Sequence, residues 1–144
     1  MQKPLHEEIR VEVRSTIDIV TARQQGREMA MQLGFPSGEV TLVAAAISEI
    51  ARNILDHAKE GEVLLSAVQC GNRQGLQVIA QDNGPGIPDI QQAMQYGYST
   101  RRGLGVGLPG AKWLMDDFEI ESKVGQGTKV TMHKWLRHDT AKLD

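Results

Sequence analysis

The sequence predicts an α+β fold, a two-layer sandwich in which helices pack on one face of a mixed, mainly antiparallel sheet. Segments with helical spacing of apolar residues and segments with strand-like alternation come in runs, not in strict alternation. The chain of 144 residues, 40% hydrophobic and 24% charged, also has the size and composition of an ordinary globular domain. We therefore expect one domain over residues 1–144.

The first half of the chain predicts one strand and two helices. Alternating apolar and polar residues predict a strand within residues 5–13. Apolar residues three and four apart predict a helix over Asp18–Leu33 that stops at Gly34. A second helix should start with Ser37 as its N-cap and end before Gly61. Its predicted core stripe consists of Val40, Val43, Ala44, Ile47, Ile50, Ala51, Ile54 and Leu55.

The second half predicts four strands and a short helix. Residues 84–107 are rich in glycine and lack a periodic pattern, and a loop of this length is usually functional or mobile. The tail from Arg137 is polar and is expected to fray. The predicted elements are strands at 62–69, 76–81, 118–122 and 128–136, a hairpin loop at 71–75, a helical turn at 90–94, a helix near 108–116 and a turn at 125–127.

Composition excludes several classes of partner and location. A formal net charge of −2 with both signs interspersed indicates neither a nucleic-acid partner nor an anionic membrane surface. The single cysteine, Cys70, cannot form an intrachain disulfide and suits a reducing compartment. No apolar stretch is long enough for a signal peptide core or a membrane span. We expect a cytoplasmic protein.

The stretch QDNGPGI at residues 81–87 has two interpretations. Asp82, Asn83 and Gly84 have the composition of a β-hairpin turn, and on local grounds that interpretation is favoured. Alternatively, the aspartate and the glycines belong to a ligand site. A second glycine-rich stretch, residues 105–110, matches G-x-G-x-x-G, but no strand precedes it and the chain lacks βαβ repetition. The P-loop and the eukaryotic protein-kinase motifs are absent from the sequence.

Glu49 and Asn53 form a polar pair on the second predicted helix. They are four residues apart and so project from one helix face. One interpretation is a pair that simply faces solvent. The other starts from the apolar neighbours, which predict a heavily buried helix where polar groups need partners. A carboxylate and an amide on one face could then supply a general base and an oxygen ligand for Mg²⁺.

Four segments of the chain together resemble a known family. They are SEIARN at 48–53, DNGPGI at 82–87, GLGVGL at 103–108 and GQGT at 125–128. In order and approximate spacing they are similar to the N, G1 and G2 boxes and the closing Gly-Thr of the GHKL ATP-binding family. The resemblance implies a Bergerat-type ATP site between the helical layer and the sheet, and so favours the ligand-site interpretation of QDNGPGI.

The resemblance also implies a role for individual residues. The carboxylate of Asp82 would accept a hydrogen bond from the adenine amino group, supported by the Thr128 hydroxyl. Gly84 and Gly86 would let the backbone approach the base, and Asn53 would hold Mg²⁺. Gly103, Gly105 and Gly107 would form a lid over the nucleotide. The further nucleotide-binding residues that we expect are Ile87, Arg101, Arg102, Leu104, Val106 and Leu108.

Phosphate binding near the lid also has a physical rationale. Glycines just before a helix that starts near Leu108 expose backbone N–H groups, and the positive end of the helix dipole adds to them. Arg101 and Arg102 could contact phosphate or could simply make the loop soluble, and both interpretations stay open.

The length of the chain favours one branch of the family. Gyrase, Hsp90 and MutL proteins carry large extra domains, and a histidine kinase needs a helical segment with its phospho-acceptor histidine. The chain is instead similar to the anti-sigma-factor kinases, and above all to the switch kinases of the stressosome, through TARQQGRE from Thr21, AISEIARNI and GLGVGLPGAK. It departs from them at Arg101 and Arg102 and at residues 58–61, which bears on lid chemistry and docking.

This second resemblance implies a reaction and partners. Glu49 would be the base that deprotonates a serine or threonine hydroxyl on a STAS-domain partner protein, with ATP and Mg²⁺ as cofactors. Release from that partner would then activate a separate phosphatase. The alternatives are an anti-sigma factor that also binds a sigma subunit, a nucleotide-gated binding module without transfer activity, and an unrelated α+β domain that binds no nucleotide.

Overall fold

The computed structural model describes residues 8–94 and 107–137. For residues 2–4 it describes the backbone alone. The described strands are β1 Gln2–Pro4, β2 Ile9–Val13, β3 Gly61–Cys70, β4 Arg73–Asp82, β5 Asp117–Lys123 and β6 Gly127–Trp135. The described helices are α1 Thr16–Leu33, α2 Ser37–His57, α3 Ile90–Ala93 and α4 Gly107–Leu114.

The strands form one sheet in the order β1-β3-β4-β6-β5, and β2 also pairs with β3. The α+β sandwich is confirmed. All the strand pairings in the described part of the chain are antiparallel, whereas the prediction of a mixed sheet also allowed parallel pairs. The register places Asp82 at the end of β4 opposite Thr128 at the start of β6. This pairing joins two of the sequence segments that are distant along the chain.

The helices cover one face of the sheet, and the core lies between the two layers. The sheet contributes Val63, Leu65 and Val78, and α2 contributes Ile47, Ile50 and Ile54, all at most 2% exposed. Helices α1 and α2 pack closely, because a Cβ at Gly26 would overlap the Ile47 side chain. No helix among the described residues is long and apolar enough to span a membrane.

The helix boundaries differ from the predicted ones for local reasons. Helix α1 begins at Thr16, not Asp18, because the Asp18 carboxylate accepts the backbone N–H groups of Arg14 at 2.8 Å and Ser15 at 3.1 Å and so caps the first turn. The predicted N-cap Ser37 lies inside α2, and Pro36 is the N-cap. The predicted stop at Gly34 is confirmed, since Gly34 has a φ of 97°.

The structure differs from the local sequence patterns at two places in the sheet. The short strand β1 pairs with the end of β3 and was not expected. The hairpin turn favoured on local grounds for residues 82–84 does not form, because β4 is paired on both edges, with β3 and β6, and its end leads into a crossover. The Asp82 carboxylate instead accepts the N–H of Gly84 at 2.9 Å, which bends the chain away from the sheet.

Candidate functional site

The Asp82 carboxylate organises the carboxyl end of β4. Its Oδ1 accepts the backbone N–H of Gly84 at 2.9 Å and that of Thr128 at 3.3 Å. The other oxygen, Oδ2, has no hydrogen-bond partner among the described residues. Two backbone amides therefore orient the carboxylate and leave one oxygen available to a donor from a ligand.

A serine that the sequence analysis missed joins this site to the edge of the sheet. The hydroxyl of Ser122 on β5 lies 2.7 Å from the backbone N of Ile87, 3.1 Å from the carbonyl O of Gly127 and 2.8 Å from Thr128 Oγ1. Ser122 stands opposite Thr128 in the β5–β6 pairing. One feature of the sequence could have indicated Ser122. Phe118 and Ile120 are at alternate positions of β5, and this alternation predicts that the side chain at 122 also faces inward, where a hydroxyl needs a partner.

The glycines after Asp82 are required by packing within the protein. A Cβ on Gly84 would lie 2.5 Å from the Cβ of Ala58, at the end of α2. Gly86 has a φ of 82°, and a Cβ there would overlap the carbonyl of Lys123. The loop after β4 thus lies directly against the end of α2 and the β5–β6 turn, which explains both glycines without any ligand.

Glu49 meets the first residue of α4. Its Oε1 accepts the backbone N–H of Gly107 at 2.9 Å. Asn53 lies one helical turn further along α2, and both side chains are half-buried. Leu108, expected among the nucleotide-binding residues, is 3% exposed and belongs to the hydrophobic core, and its contact with nucleotide stays a prediction. Arg101, Arg102, Gly103, Leu104, Gly105 and Val106 lie outside the described residues.

A cleft of about 740 Å³ includes only one end of the predicted site. Asp82, Gly84, Ser122 and Thr128 line it, whereas Glu49, Asn53 and Gly107 do not. Its other walls belong to outward-facing positions of the strands and to nearby turns. Its charged residues besides Asp82 are Arg10, Glu12, Arg14, Glu60, Glu62, Glu121, Lys123 and Lys129. The predicted site thus has two separate parts in the described residues, an Asp82 end with Thr128 and a Glu49 end with Gly107.

Neighbouring side chains lower the pKa of one carboxylate in the wall of the cleft. Gln81 Nε2 donates to Glu62 Oε2 at 2.5 Å, and Arg10 Nε donates to Glu62 Oε1 at 2.6 Å. The hydrogen bond from Gln81 outweighs the opposing effect of burial and, with help from Arg10, lowers the pKa of Glu62 below its ordinary value. The polar side chains of Arg10, Glu62 and Gln81 in this wall therefore bind one another.

The described residues contain no group of three or more His, Cys, Asp or Glu that could hold a metal ion. Glu49, which contacts the first residue of α4, and Asn53, one turn further along α2, instead carry a carboxylate and an amide oxygen. Oxygen donors of this kind fit Mg²⁺, which usually takes one or two protein oxygens and completes its shell with phosphates and water.

Comparison with known proteins identifies the family of the chain. The family model for the histidine kinase-, DNA gyrase B- and HSP90-like ATPases matches residues 38–138. The serine/threonine-protein kinase RsbT of Bacillus subtilis is 47% identical over 127 residues, which cover 88% of this chain and 96% of that protein. The anti-sigma F factor of a Thermoanaerobacter species is 35% identical over 124 residues, which cover 82% of this chain and 85% of that protein.

A solved structure shares the fold. The RsbU and RsbW domains of Rv1364c from Mycobacterium tuberculosis match with a TM-score of 0.59 and 20% identity. The match covers 92% of this chain and 34% of that longer one. At this identity the likeness concerns the arrangement of helices and strands alone.

Proposed function

The chain belongs to the histidine kinase-, DNA gyrase B- and HSP90-like ATPase family and is a partner-switching serine/threonine kinase, and from this premise we propose that its substrates are STAS-domain proteins. ATP is the phosphoryl donor. The hydroxyl of a partner serine or threonine attacks the γ-phosphorus, ADP leaves, and the hydroxyl proton passes to Glu49. Release from the phosphorylated partner then lets the kinase activate a downstream phosphatase.

The observation that carries this proposal is the hydrogen bond from the Gly107 N–H to Glu49 Oε1 at 2.9 Å. Gly107 is the first residue of α4, and a helix N-terminus favours the negative charge of phosphate. The contact supports the proposal, because it brings the Glu49 carboxylate to the end of α4 at which we expect the γ-phosphate. Phosphoryl transfer needs little covalent chemistry from the protein, so the role proposed for Glu49 is to orient the attacking hydroxyl and accept its proton.

The other site residues have supporting roles in the proposal. Asp82 accepts a hydrogen bond from the adenine amino group through its available Oδ2, and Thr128 supports that contact. Asn53 is the protein ligand of Mg²⁺, which neutralises phosphate charge when bound. The lid residues 103–107 and Arg101 and Arg102 stay predictions as nucleotide contacts, as do the single domain and the cytoplasmic location.

The direct test is intact-mass measurement of a STAS-domain protein after incubation with the chain, ATP and Mg²⁺. We expect one phosphoryl increment with the wild type and none with Glu49→Ala. Glu28→Ala, which removes an exposed carboxylate of α1, is the matched control and should transfer normally. Wild-type protein that binds ATP without adding mass to the STAS partner would overturn the proposed substrate class.

A second function is favoured by the anti-sigma F factor relatives. In that case the chain would also bind and hold a sigma subunit. It should then co-purify with the subunit as a homodimer, and Glu49→Ala should leave that complex intact. A monomer that phosphorylates its partner and does not retain a sigma subunit would exclude this alternative.

A further inference from the structure

Two buried side-chain atoms among the described residues lack a hydrogen-bond partner, and they differ in whether an opposite charge is near. One is Oε1 of Glu39, but the other oxygen of that carboxylate lies 3.7 Å from Arg137 Nε. The second is Nε of Arg52 on α2. No carboxylate in residues 8–94 or 107–137 forms an ion pair with Arg52. Within these ranges Arg52 is thus a half-buried cation without an anion.

The guanidinium of Arg52 cannot escape this situation by losing its charge, because arginine stays protonated in proteins. Withdrawing a charged group from water without a partner is unfavourable, so an anion supplied from outside would be bound favourably. The guanidinium offers N–H donors in a planar fork that fits the oxygens of a phosphate or carboxylate group. We therefore expect the partner of Arg52 to be an anion that is present only in a complex.

The position of Arg52 on α2 relates it to Glu49, the proposed base. A helix turns by about 100° per residue, so Glu49 lies between Arg52, about 60° away, and Asn53, about 40° away on the other side. Asn53 is the proposed ligand of Mg²⁺, and Glu49 contacts the first residue of α4. A partner hydroxyl has to reach Glu49 without displacing the nucleotide and its metal ion. The flank of Glu49 that carries Arg52 is the one that faces away from Asn53.

We propose that Arg52 is a further catalytic residue, whose guanidinium contacts the phosphoryl group while this group passes from ATP to the partner hydroxyl. The inference rests on the proposed function, because it takes the transferred group to lie beside Glu49. In this step the hydroxyl oxygen bonds to the γ-phosphorus, the bond to ADP breaks, and the hydroxyl proton passes to Glu49. Arg52 keeps its own proton and donates hydrogen bonds to the non-bridging oxygens, whose charge it balances.

The test measures single-turnover transfer from ATP to the STAS-domain partner, and the dissociation constants of ATP and of the partner. Arg52→Met keeps an unbranched side chain without the charge, so transfer should slow about 100-fold. Both dissociation constants should stay unchanged, because a contact made only in the transition state does not contribute to binding. Arg52→Lys keeps the charge without the fork and should transfer faster than Arg52→Met. Arg73→Ala, the control, removes an exposed arginine at the start of β4 and should behave as the wild type.

Urea unfolding distinguishes catalysis from a structural role of Arg52. Removal of an unpaired, half-buried charge should leave the unfolding midpoint of Arg52→Met unchanged or raise it. A wild-type transfer rate in Arg52→Met would overturn the inference. A slower rate that accompanies weaker partner binding or a lower midpoint would overturn it too, because Arg52 would then serve docking or folding. Absence of transfer by the wild type would instead overturn the proposed function.

Discussion

At the scale of single residues, Gly127 brings the β5–β6 turn against Asp82. Its φ is 103°, and a Cβ there would overlap the carbonyl O of Asp82 and lie 2.9 Å from the Cα of Asn83. Gly125, in the same turn, has a φ of 82°, but a Cβ on Gly125 would meet no neighbouring atom within 4 Å. Comparing substitutions at the two glycines therefore separates the free-energy cost of a positive φ from the cost of the close contact with Asp82.

We expect Gly127→Ala to destabilise the protein by more than about 2 kcal/mol and to weaken ATP binding, because strain at positive φ adds to displacement of Asp82. Gly125→Ala introduces only the strain of a positive φ, so it should lower the free energy of unfolding by about 1 kcal/mol and leave ATP affinity unchanged. Urea unfolding and nucleotide titration measure the two effects. Equal losses in both variants would show that the contact with Asp82 is unimportant.

At the scale of elements, helix α4 is held at both ends by charged side chains from other elements. Glu49 of α2 accepts its first N–H, and the ammonium of Lys134 on β6 donates to the carbonyl of Leu114 at 3.0 Å. Lys134 is 5% exposed and lies 3.8 Å from Asp116. A carboxylate at the N-terminus and an ammonium at the C-terminus both oppose the helix dipole, so they stabilise the position of α4.

Lys134→Met should therefore loosen α4 while the sheet stays intact. The lost charge–dipole interaction is worth about 1 kcal/mol, which corresponds to roughly fivefold to tenfold faster exchange of the Gly107 amide proton. Lys129→Met removes an exposed lysine of the same strand and should leave this exchange rate unchanged. Unchanged exchange at Gly107 in Lys134→Met would mean that Glu49 alone holds the helix.

The elements also show what could be predicted from the sequence. Helical spacing and the glycine after α1 located that helix to within two residues at its start, because both are local properties. The strand β1 was missed because three residues carry no measurable periodicity. The packing role of Gly86 was missed because it depends on where the backbone of Lys123 lies.

At the scale of the whole molecule, long-range strand pairing brings Asp82 and Thr128 together. Asp82 and Thr128 are 46 residues apart, and only the β4–β6 ladder makes them partners. Periodicity cannot predict such a pairing, so the family resemblance supplied it. The resemblance did not supply Ser122, whose importance follows from three hydrogen bonds that exist only once β5 and the loop after β4 are in place.

Variants at the two ends of the site should differ in how much ATP raises the thermal stability of the protein. ATP at one hundred times its dissociation constant stabilises the folded state by roughly 2.7 kcal/mol, which should raise Tm by roughly 5–10 °C. Glu49→Ala should keep this shift, because Glu49 is needed for transfer and not for holding the base. Asp82→Asn replaces one of two acceptors by a donor and should lose most of it. Equal shifts in the wild type and Asp82→Asn would mean that adenine binds elsewhere, because a site that recognises the amino group through this carboxylate must respond to its removal.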